Sequence, residues 1–139
     1  MIAGMLPLGL ALTQTGAAAW LGQGLIQTFG GWGPLALLAI FYLVAMLLTQ
    51  FVSGQAAAVI VAPIALSAAI QINASPYAFA MAAALACSTA FLTRIAHPVN
   101  LLVMGPGGYT PRDFLTVGLL LTIVVFMVML IVLPRVWPL

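Results

Sequence analysis

Residues 86–113 read ACSTAFLTRIAHPVNLLVMGPGGYTPRD, and they hold all but one of the charged and histidine side chains of a 139-residue protein. Arg94, His97, Arg112 and Asp113 lie within the stretch, and Arg135 lies outside it. The same stretch breaks a helix. Pro98 removes a backbone donor and turns His97 away from helical angles, and Gly105-Pro106-Gly107-Gly108 follows a few residues later. Upstream, Pro76 to Thr93 is an alanine-rich helix whose small side chains let backbones pack closely. The unit over 76–108 is therefore expected to be a discontinuous helix. It has a long half, an unwound polar joint at Arg94 to Asn100, and a short half ending at Gly105. Freed carbonyls and a helix terminus at such a joint can bind ions.

Composition fixes the solvent. The chain is 65% hydrophobic and 3% charged, with mean hydropathy +1.30, whereas a soluble domain carries roughly 25% charged residues. These values describe an all-α integral membrane protein. The net charge of +2 rests on three arginines against one aspartate, which gives no basic face and excludes nucleic acid as a partner. Cys87 has no second cysteine to pair with and reads as a small packing residue. One carboxylate, one histidine and one cysteine spread along the chain make no acid–base pair, metal cluster or oriented nucleophile. No catalytic residue and no cofactor are expected, and an enzyme is excluded.

The remaining units follow from apolar length and punctuation. Residues 1–12 are apolar with no basic n-region before them, and read as a truncated spanning helix in the C-terminal part of a longer or split transporter. Residues 13–33 carry Gln14, Gln23, Gln27, Trp20 and Trp32, a mixture suited to an interfacial helix. In 34–70, apolar limbs Pro34 to Gln50 and Ala56 to Ile70 are separated only by Phe51-Val52-Ser53-Gly54-Gln55. Each limb falls near or below the roughly 20 residues that span a bilayer. The uncharged turn admits two readings: a re-entrant hairpin with its tip at a binding site, or a tight surface turn between short spans. Over 111–135, Thr110 suits an N-cap, Pro111 the first helical position, and Asp113 the third, where its carboxylate reaches back to a free amide. Phe114 to Leu133 is then long enough to span, with Arg135 and Trp137 as anchors.

These residues resemble a family. Met5-Leu6-Pro7-Leu8-Gly9-Leu10-Ala11-Leu12 with Thr15-Gly16, Ser53 followed by Ala56-Ala57-Ala58 and Ala62-Pro63-Ile64-Ala65, Phe91-Leu92-Thr93, His97, Asn100 to Tyr109, and Asp113-Phe114-Leu115 with Val117-Gly118-Leu119 are similar, in this order, to the C-terminal half of divalent-anion/sodium symporters. The resemblance implies one of two inverted repeats, each with a re-entrant helical hairpin and a discontinuous helix, here followed by a C-terminal spanning helix. It implies a multi-pass protein of the cell membrane, in bacteria the inner membrane, that carries sulfate or a dicarboxylate with sodium. Its partners would be the lipid bilayer, the anion, the missing first repeat or a second copy of this chain, and a homodimeric mate in the full-length form. The family's hairpin tip reads Ser-Asn-Thr. Here Ser53 matches, while Gly54 and Gln55 stand in place of Asn and Thr, and Arg94 stands where close relatives have Pro. Carried over by position, Ser53, Gly54, Gln55 and Arg94 would touch substrate, and Ser53, Thr93, His97 and Asn100 the coupling ion. No metal beyond sodium is implied.

Each residue also has a plainer role. Arg94 either neutralises an anion or snorkels to an interface. His97 is either proton-sensitive or a hydrogen-bonded structural residue. Ser53 and Asn100 offer neutral oxygens suited to a monovalent cation, and Asn100 alternatively caps the short half-helix. Gly105 to Gly108 lacks the Lys-Ser/Thr and the strand of a phosphate loop and reads as a surface turn. The expected function is sodium-driven secondary transport of a small divalent anion by alternating access. The alternative is a non-transporting or degenerate subunit packed against another transporter half.

Overall fold

In the computed structural model, which describes the backbone of residues 2–138 and the side chains of 7–138, seven α-helices run in sequence. They are α1 (Ile2–Gln14), α2 (Ala17–Phe29), α3 (Pro34–Thr49), α4 (Gly54–Gln71), α5 (Pro76–Ser88), α6 (Pro98–Gly107) and α7 (Pro111–Val136), with a 3-10 turn at Gly30–Trp32. Four of them begin on a proline-friendly first turn: Pro34, Pro76, Pro98 and Pro111 each occupy an N-terminal helical position, where a missing N–H costs nothing.

The centre is the hairpin of α3 and α4, with α5 packed against both limbs and α1 and α2 lying on α4. Small residues make this possible. Ala57, Val61, Ala65 and Ala69 line one face of α4 at four-residue spacing, Ala78, Ala82 and Ala86 do the same on α5, and all are buried. Phe41 and Phe79 meet edge to face at 5.7 Å and 71° between α3 and α5. On α7 the buried face is a narrow stripe of Gly118, Thr122, Met129 and Leu133, which turns towards α3 and α5. The rest of α7 exposes Leu115, Leu119, Leu120, Ile123, Val124, Met127, Val128 and Ile131, a surface matched to hydrocarbon and not to water.

Helix lengths divide the elements. The 26 residues of α7 make about 39 Å at 1.5 Å per residue, more than the ~30 Å hydrocarbon core. The 16 residues of α3 give only about 24 Å, whereas the 18 of α4 make about 27 Å, and α4 joins α7 in being long and apolar enough to cross a membrane.

The discontinuous unit departs from expectation at both ends of its joint. The long half stops at Ser88, not Thr93, and the short half begins at Pro98 and runs to Gly107, not from Leu101 to Gly105. The early stop has a local cause. Thr89 Oγ1 bonds back to the Leu85 and Ala86 carbonyls at 2.8 Å, and the Thr89 carbonyl is taken by Gln50, so the ladder gives way to side-chain bonds. The early restart follows from Pro98 acting as a first-turn residue instead of a breaker. Among the described residues, α6 packs against no other helix.

Candidate ion and anion site at the hairpin tip

The hairpin turns at Gln50 to Ser53, and this turn is sewn to the unwound joint at residues 89–97. Gln50 is 3% exposed, and its Nε2 donates to the Met46 carbonyl at 3.1 Å and the Thr89 carbonyl at 3.0 Å. Both partners are acceptors, which fixes the amide with its nitrogen towards them. Thr93 Oγ1 donates to the Gln50 carbonyl at 3.1 Å. Deeper in, Tyr42 Oη and Thr89 Oγ1 pair at 3.0 Å, both buried. Thr49 Oγ1 donates to Met46 O at 2.6 Å.

Two glycines let the backbones meet. A Cβ at Gly54 would fall on the Cys87 carbonyl oxygen, and one at Gly118 on the Phe91 carbonyl oxygen. The first turn of α4 is therefore pressed onto the end of α5, and α7 onto the joint. Glycine at position 54 fits this contact, because the tip approaches α5 too closely for a side chain.

Asn100 ties the short half-helix into the same cluster. Its Nδ2 donates to the Ala90 and Thr93 carbonyls at 3.0 and 3.1 Å. It does not cap α6; His97 does, with Nδ1 accepting from the Val99 N–H at 3.3 Å and the extended backbone (φ −140°, ψ 136°) of an N-cap. Asn100 is therefore inside the first turn of α6, not in the unwound joint. Ser53 is the N-cap of α4, its Oγ accepting from Ala56 N at 3.4 Å. Gln55 and Arg94 are exposed, Arg94 in the joint between α5 and α6.

Four helix ends thus converge. The C-termini of α3 and α5 meet at Gln50 and Thr89, and the N-termini of α4 and α6 join them through Gly54 on Cys87 and Asn100 on Thr93. C-terminal ends carry partial negative charge and attract cations, and N-terminal ends attract anions. Among the described residues, two buried side-chain oxygens lack a partner, Gln50 Oε1 and Thr122 Oγ1. The first lies in this cluster. An unpaired buried acceptor costs about 1–3 kcal/mol, a cost that a bound cation or water removes.

The sequence reading had Ser53, Gly54, Gln55, Thr93, Arg94, His97 and Asn100 in the site. It missed Tyr42, Thr49, Gln50 and Thr89. Their signal was present: each is a polar group within an otherwise apolar run, and such residues in a membrane segment point to function.

No such cluster crowns α7. There Thr110 N and Oγ1 both donate to Asp113 Oδ2, at 2.7 and 2.8 Å. These bonds, the backbone one first, hold the Asp113 carboxyl below its ordinary range.

An all-helical chain with two helices long and apolar enough to cross a membrane, its α3–α4 turn bonded to the segment between α5 and α6, has the make-up of a membrane-transporter segment. The chain belongs to the family described as sodium:sulfate symporter transmembrane region, whose profile matches residues 1–139. It is similar to the protein of Escherichia coli K12 described as uncharacterized transporter YfbS, with 42% identity over 99% of this chain and 23% of that protein. It is 27% identical to the sodium-dependent dicarboxylate transporter SdcS of Staphylococcus saprophyticus over 98% of this chain and 27% of that protein. Sodium/sulfate cotransporter 1 of Chlamydomonas reinhardtii is 31% identical over 84% of this chain and 13% of its own length. The chain thus spans about a quarter or less of these relatives. These relatives are transporters, not enzymes.

Proposed function

We propose that this segment forms one of two inverted repeats of a cell-membrane transporter that moves a small divalent anion, sulfate or a dicarboxylate, together with sodium by alternating access. The other repeat comes from the remainder of a longer polypeptide or from another copy of the chain. One observation carries the reading: two helix C-termini and two helix N-termini meet at a carboxylate-free polar cluster of buried Gln50 and Thr89 and half-buried Thr93 and Asn100.

In that cluster a sodium ion takes neutral oxygens. Gln50 Oε1, the carbonyls of the joint and the Asn100 amide oxygen supply a hard, uncharged donor set, which suits a monovalent cation without burying an opposing charge. The anion lies on the outer side, where Ser53 and Gln55 open the first turn of α4 and Arg94 is exposed in the joint. Ser53 offers its hydroxyl, the helix N-terminus its partial positive charge, and Arg94 a fork that can hold a carboxylate or sulfate at two points. Thr93 and His97 hold the joint in shape between the two. The α3 limb, at about 24 Å, is short for a spanning helix, and with the uncharged turn at Ser53 to Gln55 this supports a re-entrant hairpin with its tip inside the membrane region. The relatives named for sodium with sulfate or dicarboxylate favour these substrates and this coupling ion.

The test is initial uptake of labelled sulfate and succinate into proteoliposomes by the full-length polypeptide that carries the segment, with and without a sodium gradient. Sodium-dependent, saturable uptake is expected. Arg94→Gln should raise the apparent KM by about ten- to a hundredfold, the loss of a contact worth about 1.5–3 kcal/mol, and Arg94→Lys should recover only part of it. Absence of uptake of either anion by well-folded protein would favour a non-transporting subunit.

A further inference from the structure

The second buried oxygen without a partner is Thr122 Oγ1, on the narrow face of α7 that turns towards α3 and α5. Thr122 is 4% exposed. Its hydroxyl is placed unlike those of the other helical threonines. Thr13, Thr28, Thr49 and Thr116 each donate back to a carbonyl three or four residues earlier, at 2.6 to 2.9 Å, which satisfies a hydroxyl inside an apolar helix. Thr122 makes no such bond to its own helix, and its oxygen has no partner among the described residues.

Its surroundings follow from the residues one turn to either side on the same face. One turn earlier, Gly118 is pressed onto the Phe91 carbonyl of the joint, with no room for a Cβ. One turn later, Phe126 meets the Tyr42 ring at a centroid distance of 5.3 Å. α7 therefore touches backbone at Gly118 and stands a ring's thickness further out at Phe126, and Thr122 lies between the two, where the gap widens. The buried polar side chains that α3 and α5 bring to this level are Tyr42 and Thr89, whose Oη and Oγ1 pair at 3.0 Å.

The protons of this pair can be counted. Thr89 Oγ1 has one, and it goes to the Leu85 and Ala86 carbonyls at 2.8 Å. Tyr42 is therefore the donor of the pair, and its oxygen keeps its lone pairs. A free hydroxyl proton on α7 and a free acceptor on α3 thus lie on facing elements without a direct bond. A cation takes lone pairs but no proton, and an apolar group takes neither. Water takes both, and buried polar groups set just beyond direct reach are joined through one.

We propose that Thr122 is a positioning residue that holds one buried water, which accepts from the Thr122 hydroxyl and donates to Tyr42 Oη. The water ties α7 to the Tyr42–Thr89 pair, and Thr89 carries the carbonyl that Gln50 grips. α7 thereby braces the tip and the joint. The brace acts on the sodium site of the function proposed above and rests on that reading; the water does not.

The test is a double-mutant cycle of Thr122→Val and Tyr42→Phe in the full-length protein, read by melting temperature and by the sodium activation of anion uptake. Valine keeps the shape of threonine and removes the hydroxyl. Replacing an unpaired buried hydroxyl in this way is neutral or stabilising, whereas replacing a bridged one costs stability. Thr122→Val should therefore lower the melting temperature in wild type and cost nothing further in Tyr42→Phe, because either change releases the same water. It should also raise half-activating sodium by about tenfold, as loss of an outer support of metal ligands does, and Thr122→Ser, which keeps the hydroxyl, should stay near wild type. A Thr122→Val protein at least as stable as wild type, or one that loses as much stability with Tyr42→Phe as without it, would overturn the water. An unchanged sodium curve in a variant that does couple to Tyr42 would overturn the brace. Failure of wild type to take up anion with sodium would strike the proposed function and the brace with it, and the melting temperatures would still decide the water.

Discussion

The Gln50 side chain and the Thr89 carbonyl are joined by a 3.0 Å hydrogen bond that crosses from the last turn of one hairpin limb to the first residue past α5. It is one of the bonds that hold tip and joint together, and it leaves the Gln50 Oε1 oxygen buried without a donor. Sodium is therefore expected to stabilise the fold as well as drive transport.

Gln50→Leu keeps the volume of the side chain but removes both the bridge and the free oxygen. Thermal unfolding of purified protein across a sodium series should rise in wild type, as a ligand that binds only the native state requires. The variant should be less stable by about 1–3 kcal/mol and should lose most of the sodium-dependent rise. A variant that is destabilised but keeps the full sodium response would make Gln50 a structural brace only.

Gly54→Ala and Gly118→Ala each drive a methyl group into a carbonyl oxygen, that of Cys87 or of Phe91. Backbone cannot move aside as a flexible side chain does. Each substitution should cost about 1–3 kcal/mol, read as a lower melting temperature in detergent, whereas Gly24→Ala, where a Cβ meets nothing within 4 Å, should be neutral or stabilising.

Much of this was legible beforehand, and the failures have physical causes. The Thr110-Pro111-Arg112-Asp113 start of α7 rests on contacts within one turn, so sequence spacing alone locates the cap. Pro98 reads in sequence as a breaker, but a proline is as good a first residue as it is a breaker, and α6 begins on it. The end of α5 is set by the Thr89 hydroxyl bonding back to the Leu85 and Ala86 carbonyls together with Gln50, 39 residues earlier in the chain, a partner that no local pattern announces. Gln50 and Thr89 stand out in sequence as polar groups in apolar runs, but that they bond to one another appears only when the tip meets the joint. Gly54, which the resemblance implies as a substrate contact, is in the fold pressed against the Cys87 carbonyl.

The cap of α7 carries a pH dependence of known sign. Asp113 binds its proton less readily in the folded chain than in the unfolded one, because ionised Oδ2 accepts from Thr110. Its contribution is present above the ordinary carboxylate value of 3.8 and is lost as pH falls below it towards the depressed folded value. The protection of the first-turn amides of α7, measured against the intrinsic exchange rate at each pH, should fall below that pH in wild type. In Asp113→Asn the exchange should show no such acid transition.

The outer edge of the tip should be reachable only by small reagents if the hairpin is re-entrant. With Cys87→Ala as background, single cysteines at Ser53 and Gln55 should react readily with a small permeant thiol reagent and slowly with a bulky impermeant one. Sodium should slow the permeant reaction further. Fast labelling by the bulky reagent would describe an ordinary surface turn.

The central claim is that the coupling ion is held where the hairpin tip meets the broken helix. Its most direct test is the sodium activation curve of anion uptake by the full-length polypeptide carrying Asn100→Ala, with protein levels and melting temperature checked. Asn100 touches the joint through its amide nitrogen and leaves its oxygen for the ion, so half-activation should shift to at least tenfold higher sodium, about 1.4 kcal/mol of lost ion binding, with the anion KM at saturating sodium nearly unchanged. An activation curve that superimposes on wild type in a well-folded variant would contradict the assignment.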